Sequence, residues 1–132
     1  MTEQRYEWFE SRRRSFRIRV WSSVKKKMLP QGDYRVKVLP NGLLVASSYL
    51  SKMDELIILQ STGCFDMDNS EVYEGDVVRT DELGWTGCVC YGGGGFYLED
   101  KENGFSACNY LNWKGCKVLG NIFENPELME EL

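Results

Sequence analysis

The chain contains no histidine. That absence removes the commonest general base, the commonest transition-metal ligand and the usual charge switch near neutral pH. Proline is scarce, at 3 of 132 residues. Apolar runs are short, as at Gly42–Ala46 and Leu56–Leu59, far below the length that crosses a bilayer. The opening MTEQRYEWFE has no apolar segment behind its charges and does not read as a secretion signal. Five cysteines, an odd number without such a signal, argue for reduced thiols rather than a disulfide framework. A soluble intracellular protein with no membrane association is the expectation.

What is present fits one compact domain. Apolar residues at 42% and aromatics at 13% supply a core, and charged residues at 27% supply a surface. The net charge of −4 hides an asymmetry. Residues 1–37 hold eleven of the sixteen Lys and Arg against four acidic residues, whereas residues 38–132 hold five against sixteen. A basic head on an acidic body can contact nucleic acid, pair with the body of another copy, or be the solvated face of strands and a turn.

Residues 2–14 carry weak helical character, with Thr2 as a cap and Tyr6 and Phe9 on one side before Arg12–Arg14. From Phe16 the period becomes two, placing Phe16, Ile18 and Val20 opposite Arg17, Arg19 and Trp21, the pattern of a half-buried strand. Lys25, Lys26 and Lys27 read as a turn or strand edge. Turn signals at Gln31–Asp33 and Pro40–Gly42 bracket a strand over Tyr34–Leu39. Leu43–Ala46 and Glu55–Gln60 read as buried strands, and Gly63–Asn69 as a loop.

Further strands are expected at Val77–Arg79, Trp85–Tyr91, Phe96–Glu99, Phe105–Leu111 and Cys116–Ile122, with turns at Gly92–Gly95 and Lys101–Gly104. Pro126 ends the last of these, and Glu127–Leu132 reads as an acidic helical tail. Short strands at regular spacing with glycine-rich turns predict a mainly β fold with a small antiparallel barrel. Tyr73-Glu74-Gly75-Asp76 is then a barrel corner: glycine adopts the bend, Tyr73 packs inward, and the two carboxylates stay wet.

The candidate chemistries are weak. Cys88 and Cys90 share a strand face, but a structural zinc site needs four ligands, and the other thiols are isolated; core packing is the better reading. Asp66-Met-Asp68-Asn69 starts like a calcium loop, then Glu71 and Val77 stand where glycine and a bidentate glutamate belong. The tetraglycine is followed by Phe96-Tyr97-Leu98 rather than by Lys-Ser/Thr and a helix, so it is a hairpin tip and not a phosphate loop. Turn carboxylates such as Asp66, Asp68, Glu74 and Asp76 give no reason for the raised pKa that acid–base catalysis needs. No catalytic residue, cofactor or metal is expected. Arg17, Arg19, Trp21 and Lys25–Lys27 combine cations with an aromatic ring, the ingredients of single-strand nucleic-acid binding.

Gln60–Gly63, Asp66, Val72–Arg79 and Lys117–Leu128 in this order resemble the YopX family of small phage and prophage proteins. The likeness spans roughly residues 15–132, leaving residues 1–14 as an extension. It implies a β domain with a small SH3-like barrel at about residues 70–123 and an acidic tail at 124–132, with short terminal helices. It implies structural roles for Tyr73, Glu74, Gly75, Asp76, Gly120, Asn121, Asn125 and Pro126, and a phage-encoded protein of the host cytoplasm that forms oligomers. It implies no established activity and no catalytic residues to carry over. The expectation is a non-enzymatic accessory protein that binds protein, either itself or a host factor. The alternative is a nucleic-acid-associated protein using the basic N-terminal strand.

Overall fold

The computed structural model describes residues 17–48, 55–80, 84–100, 104–107 and 112–130. The expected helix within residues 1–14, most of the turn at Lys101–Gly104 and the far end of the Phe105–Leu111 strand lie outside the described residues. In chain order the strands are β1 (Ile18–Ser22), β2 (Lys27–Met28), β3 (Arg35–Val38), β4 (Leu44–Ser47), β5 (Leu56–Phe65), β6 (Glu71–Tyr73), β7 (Asp76–Thr80), β8 (Thr86–Gly92), β9 (Gly95–Asp100), β10 (Gly104–Ala107) and β11 (Cys116–Asn121). A 3-10 turn at Trp113–Gly115 precedes β11, and a one-turn helix, α1 (Glu127–Glu130), follows it. The fold is mainly β, as the alternation of the sequence predicts.

All pairings among these strands are antiparallel. A four-stranded sheet has the order β2-β1-β5-β6, and a five-stranded sheet, which curls as a half-barrel, has the order β10-β9-β8-β7-β11. The β3–β4 hairpin stands as a separate two-stranded sheet. Val20 lies opposite Ile58, and Ser22 opposite Leu56. That face of the first sheet closes a small core of Val20, Leu29, Ala46 and Leu56, flanked by Ile18, Tyr34 and Ile58. A second core of Val72, Val78, Val89, Leu98 and Cys116 fills the half-barrel, with Phe96, Trp113 and Val118 against it.

Three expectations are corrected here. Gly63 to Phe65 continue β5 instead of starting a loop. Pairing with β6 makes this polar stretch a strand, and the Thr62 hydroxyl donates to the Val72 carbonyl at 2.9 Å. The irregular segment is therefore shorter, beginning at Asp66. β4 is not buried: only Ala46 reaches the core, while Leu44 and Ser47 are exposed. β1 is covered on both faces rather than one, since Trp21 and Ser22 are both buried. The tetraglycine does turn the chain, with Gly92 opposite Gly95 and a two-residue turn at Gly93-Gly94, both at positive φ.

Candidate functional site

The Tyr73–Asp76 corner is where the two sheets meet. Gly75 has φ +84°, a backbone region that residues with a Cβ resist. A Cβ there would also lie 2.7 Å from Phe123 Cε2. The Gly75 N–H donates to the Val89 carbonyl at 2.8 Å and its own carbonyl accepts from Ile122 at 2.9 Å, so the corner is held to β8 and to the segment after β11.

Asp76 is buried, at 2% exposure, which overturns the expectation that both corner carboxylates stay wet. One oxygen accepts from the Tyr73 N–H at 2.9 Å, and the other pairs with the Arg19 guanidinium. Arg19 lies over the Tyr73 ring at 4.7 Å, and its Nε–H is buried without an acceptor among the described residues. Burial pushes the Asp76 carboxyl above its ordinary pKa, and Arg19 with the Tyr73 N–H offsets this only in part. Glu74 is half-buried, and its carboxylate accepts from the Gln60 N–H at 3.0 Å. Both carboxylates are occupied in holding β1, β5 and the corner together, so the raised Asp76 belongs to a structural ion pair.

The same face carries more of the basic strand. Arg17 pairs with Glu71 at 2.8 Å, and Ser61 donates to the other Glu71 oxygen. Burial opposes the Glu71 charge, but the Ser61 hydroxyl and Arg17 outweigh it and hold the carboxyl below its ordinary pKa. Trp21 stacks on Phe123 with ring centroids 5.5 Å apart. Of the nucleic-acid candidates, Arg19 and Trp21 are therefore turned into the molecule and Arg17 is paired within the chain. Lys25, Lys26 and Lys27 remain exposed in the β1–β2 turn, apart from the other three.

The C-terminal motif is a latch. Asn121 is buried, and its side-chain oxygen accepts from Phe123 at 3.0 Å and Glu124 at 2.8 Å, setting the turn that presents Phe123 to Trp21. Asn125 folds back over Gly120, where a Cβ would collide with its amide oxygen and lie 2.9 Å from Leu128. Pro126 then leads into α1.

Asp66 is the residue that sequence reasoning misjudged. It is 1% exposed, and its carboxylate accepts backbone N–H groups from Asp68 at 3.0 Å, Ser70 at 2.8 Å and Val118 at 2.9 Å. Burial works against its charge, but those three donors and the Lys114 charge bring the carboxyl below its ordinary pKa. An Asp followed by residues whose N–H groups curl onto it is an Asx-type turn, the signal that would have found it. The apparent calcium loop is this turn, with its first carboxylate fully used.

The Cys88–Cys90 pair is not poised for nucleophilic chemistry. Burial, then its neighbour Cys90, pushes the Cys88 thiol up to about 12. Cys90 is also raised, by burial first and then by Glu99, whose carboxylate lies 3.6 Å from its sulfur. Neither is a thiolate nucleophile near neutral pH. Among the described residues no three His, Cys, Asp or Glu are placed to hold a metal ion, and no helix is long and apolar enough to cross a membrane.

The β3–β4 hairpin is different in character. Val36, Val38, Leu43 and Leu44 are exposed by 38%, 65%, 56% and 36%, the largest such group in one element. Val36 and Val38 share the face of Ala46 and Leu44, so the apolar face of the first core runs out along the arm into solvent. Sequence patterning placed both strands but read Leu43–Ala46 as buried.

The sequence profile of the YopX protein family matches residues 17–130. Among solved structures, protein EF1440 from Enterococcus faecalis is similar, at 26% identity and TM-score 0.57, over 89% of this chain and 99% of that one. YopX from Bacillus subtilis has the same TM-score of 0.57 at 15% identity, over 87% of this chain and 96% of that one, which speaks to the fold alone. Curated proteins offer no match to the sequence. With the corner at Tyr73–Asp76 and the latch at Gly120–Pro126 both built as motifs of one architecture, and the profile covering the whole of it, the chain belongs to the YopX protein family.

Proposed function

We propose that this chain is a phage- or prophage-encoded accessory protein of the host cytoplasm that acts by binding protein, not by catalysis. The observation that carries the reading is the β3–β4 hairpin, an arm whose apolar face continues from a core into solvent. Exposed apolar faces of that kind mark interaction surfaces. The non-catalytic part rests on the carboxylates: Asp66, Glu71 and Asp76 are each engaged by hydrogen bonds or a guanidinium that fix structure. The half-barrel with its Tyr73–Asp76 corner is read as SH3-like, a scaffold on which the arm is mounted. The partner is either a second copy or a host factor.

The test is cross-linking and affinity capture from the phage host, alongside light scattering of the purified protein over a range of concentration and salt. A specific bound protein, or a second copy, that is lost with Leu44→Asp supports the reading. A strictly monomeric protein that captures nothing beyond what Leu44→Asp captures ends it.

The exposed Lys25–Lys27 turn favours a second reading, nucleic-acid association. With Trp21 buried, that mode has cations but no stacking platform in the basic strand. Fluorescence anisotropy of labelled oligonucleotides tests it: binding that weakens steeply with salt supports it, and no binding at low salt removes it.

A further inference from the structure

We infer that the outer edge of β3 is a docking site for an extended segment of another protein in which apolar and acidic residues alternate. The inference rests on the protein-binding reading above and names the partner's chemistry. Hydrogen-bond phase is the first observation. The Leu39 N–H donates to the Leu43 carbonyl at 2.8 Å. In an antiparallel ladder bonded and non-bonded pairs alternate, so Lys37 and Arg35 bond β4 in turn. The backbone N–H and C=O groups of Val36 and Val38 therefore point away from β4, and among the described residues β3 has no second neighbour. This edge is open.

Two other edges are less available. That of β11 is closed by the Asp66 turn, where Val118 donates to the Asp66 carboxylate and the Met67 N–H donates to the Cys116 carbonyl at 2.9 Å. β2 is only two residues long.

Charge supplies the partner. From Tyr34 to Ser48 the chain has two cations, Arg35 and Lys37, and no acidic residue. The strand alternation puts both cations on one face of β3 and the two valines on the other. An added strand meets Val36 and Val38 with its apolar side chains and the cations with its acidic ones. Pairing of β3 with β3 of a second copy would instead set Arg35 and Lys37 against their equivalents, and like charges directly opposite are unfavourable. The cations thus act as a filter: they guard the edge against self-addition and admit an acidic strand. A hollow of about 300 Å³, lined by Gly32, Asp33, Tyr34, Arg35, Ser47 and Ser48, lies at the start of β3.

The test uses the full chain labelled with ¹⁵N and three synthetic peptides: Glu-Val repeats, Lys-Val repeats, and the Glu-Val peptide methylated at alternate backbone nitrogens. The Glu-Val peptide is expected to slow hydrogen exchange at the Val36 and Val38 amides and to bind about tenfold more tightly than the Lys-Val peptide, from two cross-strand charge pairs. Arg35→Glu with Lys37→Glu reverses that preference, and backbone methylation abolishes binding. No binding at millimolar peptide, binding without protection of Val36 and Val38, or equal affinity for the two charge types overturns the inference. If a protein is still captured from the host while the peptides fail, only the edge falls; if capture fails as well, the broader reading falls with it.

Discussion

Asp66 and Asp76 are both buried carboxylates with opposite consequences. The Asp66 carboxyl is held below its ordinary pKa, so it adds stability above that value and loses it as pH falls. The Asp76 carboxyl is held above its ordinary pKa, so it favours the folded state on the acid side and the gain is lost as pH rises through its folded value. In Asp66→Asn the amide NH₂ faces the Val118 N–H or leaves the Asp68 and Ser70 donors unmet. We expect a loss of about 2 kcal/mol at neutral pH, the cost of an unsatisfied buried donor. Urea unfolding between pH 3 and 7 should show the gap to the natural protein starting to narrow near about pH 4, the ordinary carboxylate value that the unfolded chain keeps, and narrowing further toward the lower folded value. Asp76→Ala strands the Arg19 guanidinium and the Tyr73 N–H and is expected to cost about 3 kcal/mol, the low end for a broken buried pair because Arg19 keeps some solvent. Arg19→Met combined with Asp76→Leu should cost clearly less than the two single changes summed, as read from a denaturation cycle.

At the scale of elements, the outcome follows how each strand acquires its partners. β8 and β9 were legible because their apolar alternation and the glycine turn agree, and local signals of that kind need no distant information. β5 was legible only to Gln60, since its polar second half becomes a strand through β6, whose position no local pattern shows. The reverse error befell β4, where Leu44 looks like core and is on an arm. The corner and the latch were recognised as motifs, yet their purpose was not: Asp76 looks like a wet turn residue until Arg19, 57 positions away, is folded onto it. Phe123 stood inside the Lys117–Leu128 motif with its role hidden, because that role depends on Trp21 and Gly75. The latch itself is testable. Gly120→Ala places a methyl against Asn125 and Leu128 and is expected to destabilise by about 1–3 kcal/mol through overpacking. Hydrogen exchange should then rise at Phe123–Asn125 before it rises in the half-barrel.

For the molecule as a whole, part of the charge asymmetry is resolved inside the chain. Arg17 and Arg19, from the basic head, are paired with Glu71 and Asp76 of the acidic body, so part of the head is used to bind the two halves to each other. Among the described residues the buried apolar side chains form two small clusters. Besides the β5–β6 pairing that brings Val72 to the half-barrel core, they are joined among the described residues by Arg17 on Glu71, Arg19 on Asp76, Trp21 on Phe123 and Leu59 at Gly75, where a Cβ would lie 3.7 Å from the leucine. Joined in this way, neither core has to stand alone, and unfolding of the intact protein should be a single transition by far-UV circular dichroism and by tryptophan fluorescence. Trp21→Ala removes the larger ring from the contact without touching either core cluster. Loss of a large buried aromatic costs about 3–5 kcal/mol, a large share of the roughly 5–15 kcal/mol that stabilises a domain. The expected result is therefore not a simple shift. The first sheet should melt earlier, and the half-barrel, with its own core and the Asp66 turn intact, should melt later, so that the two probes cease to coincide. Coincident transitions at a lowered midpoint would mean that the cores communicate by a route other than this contact.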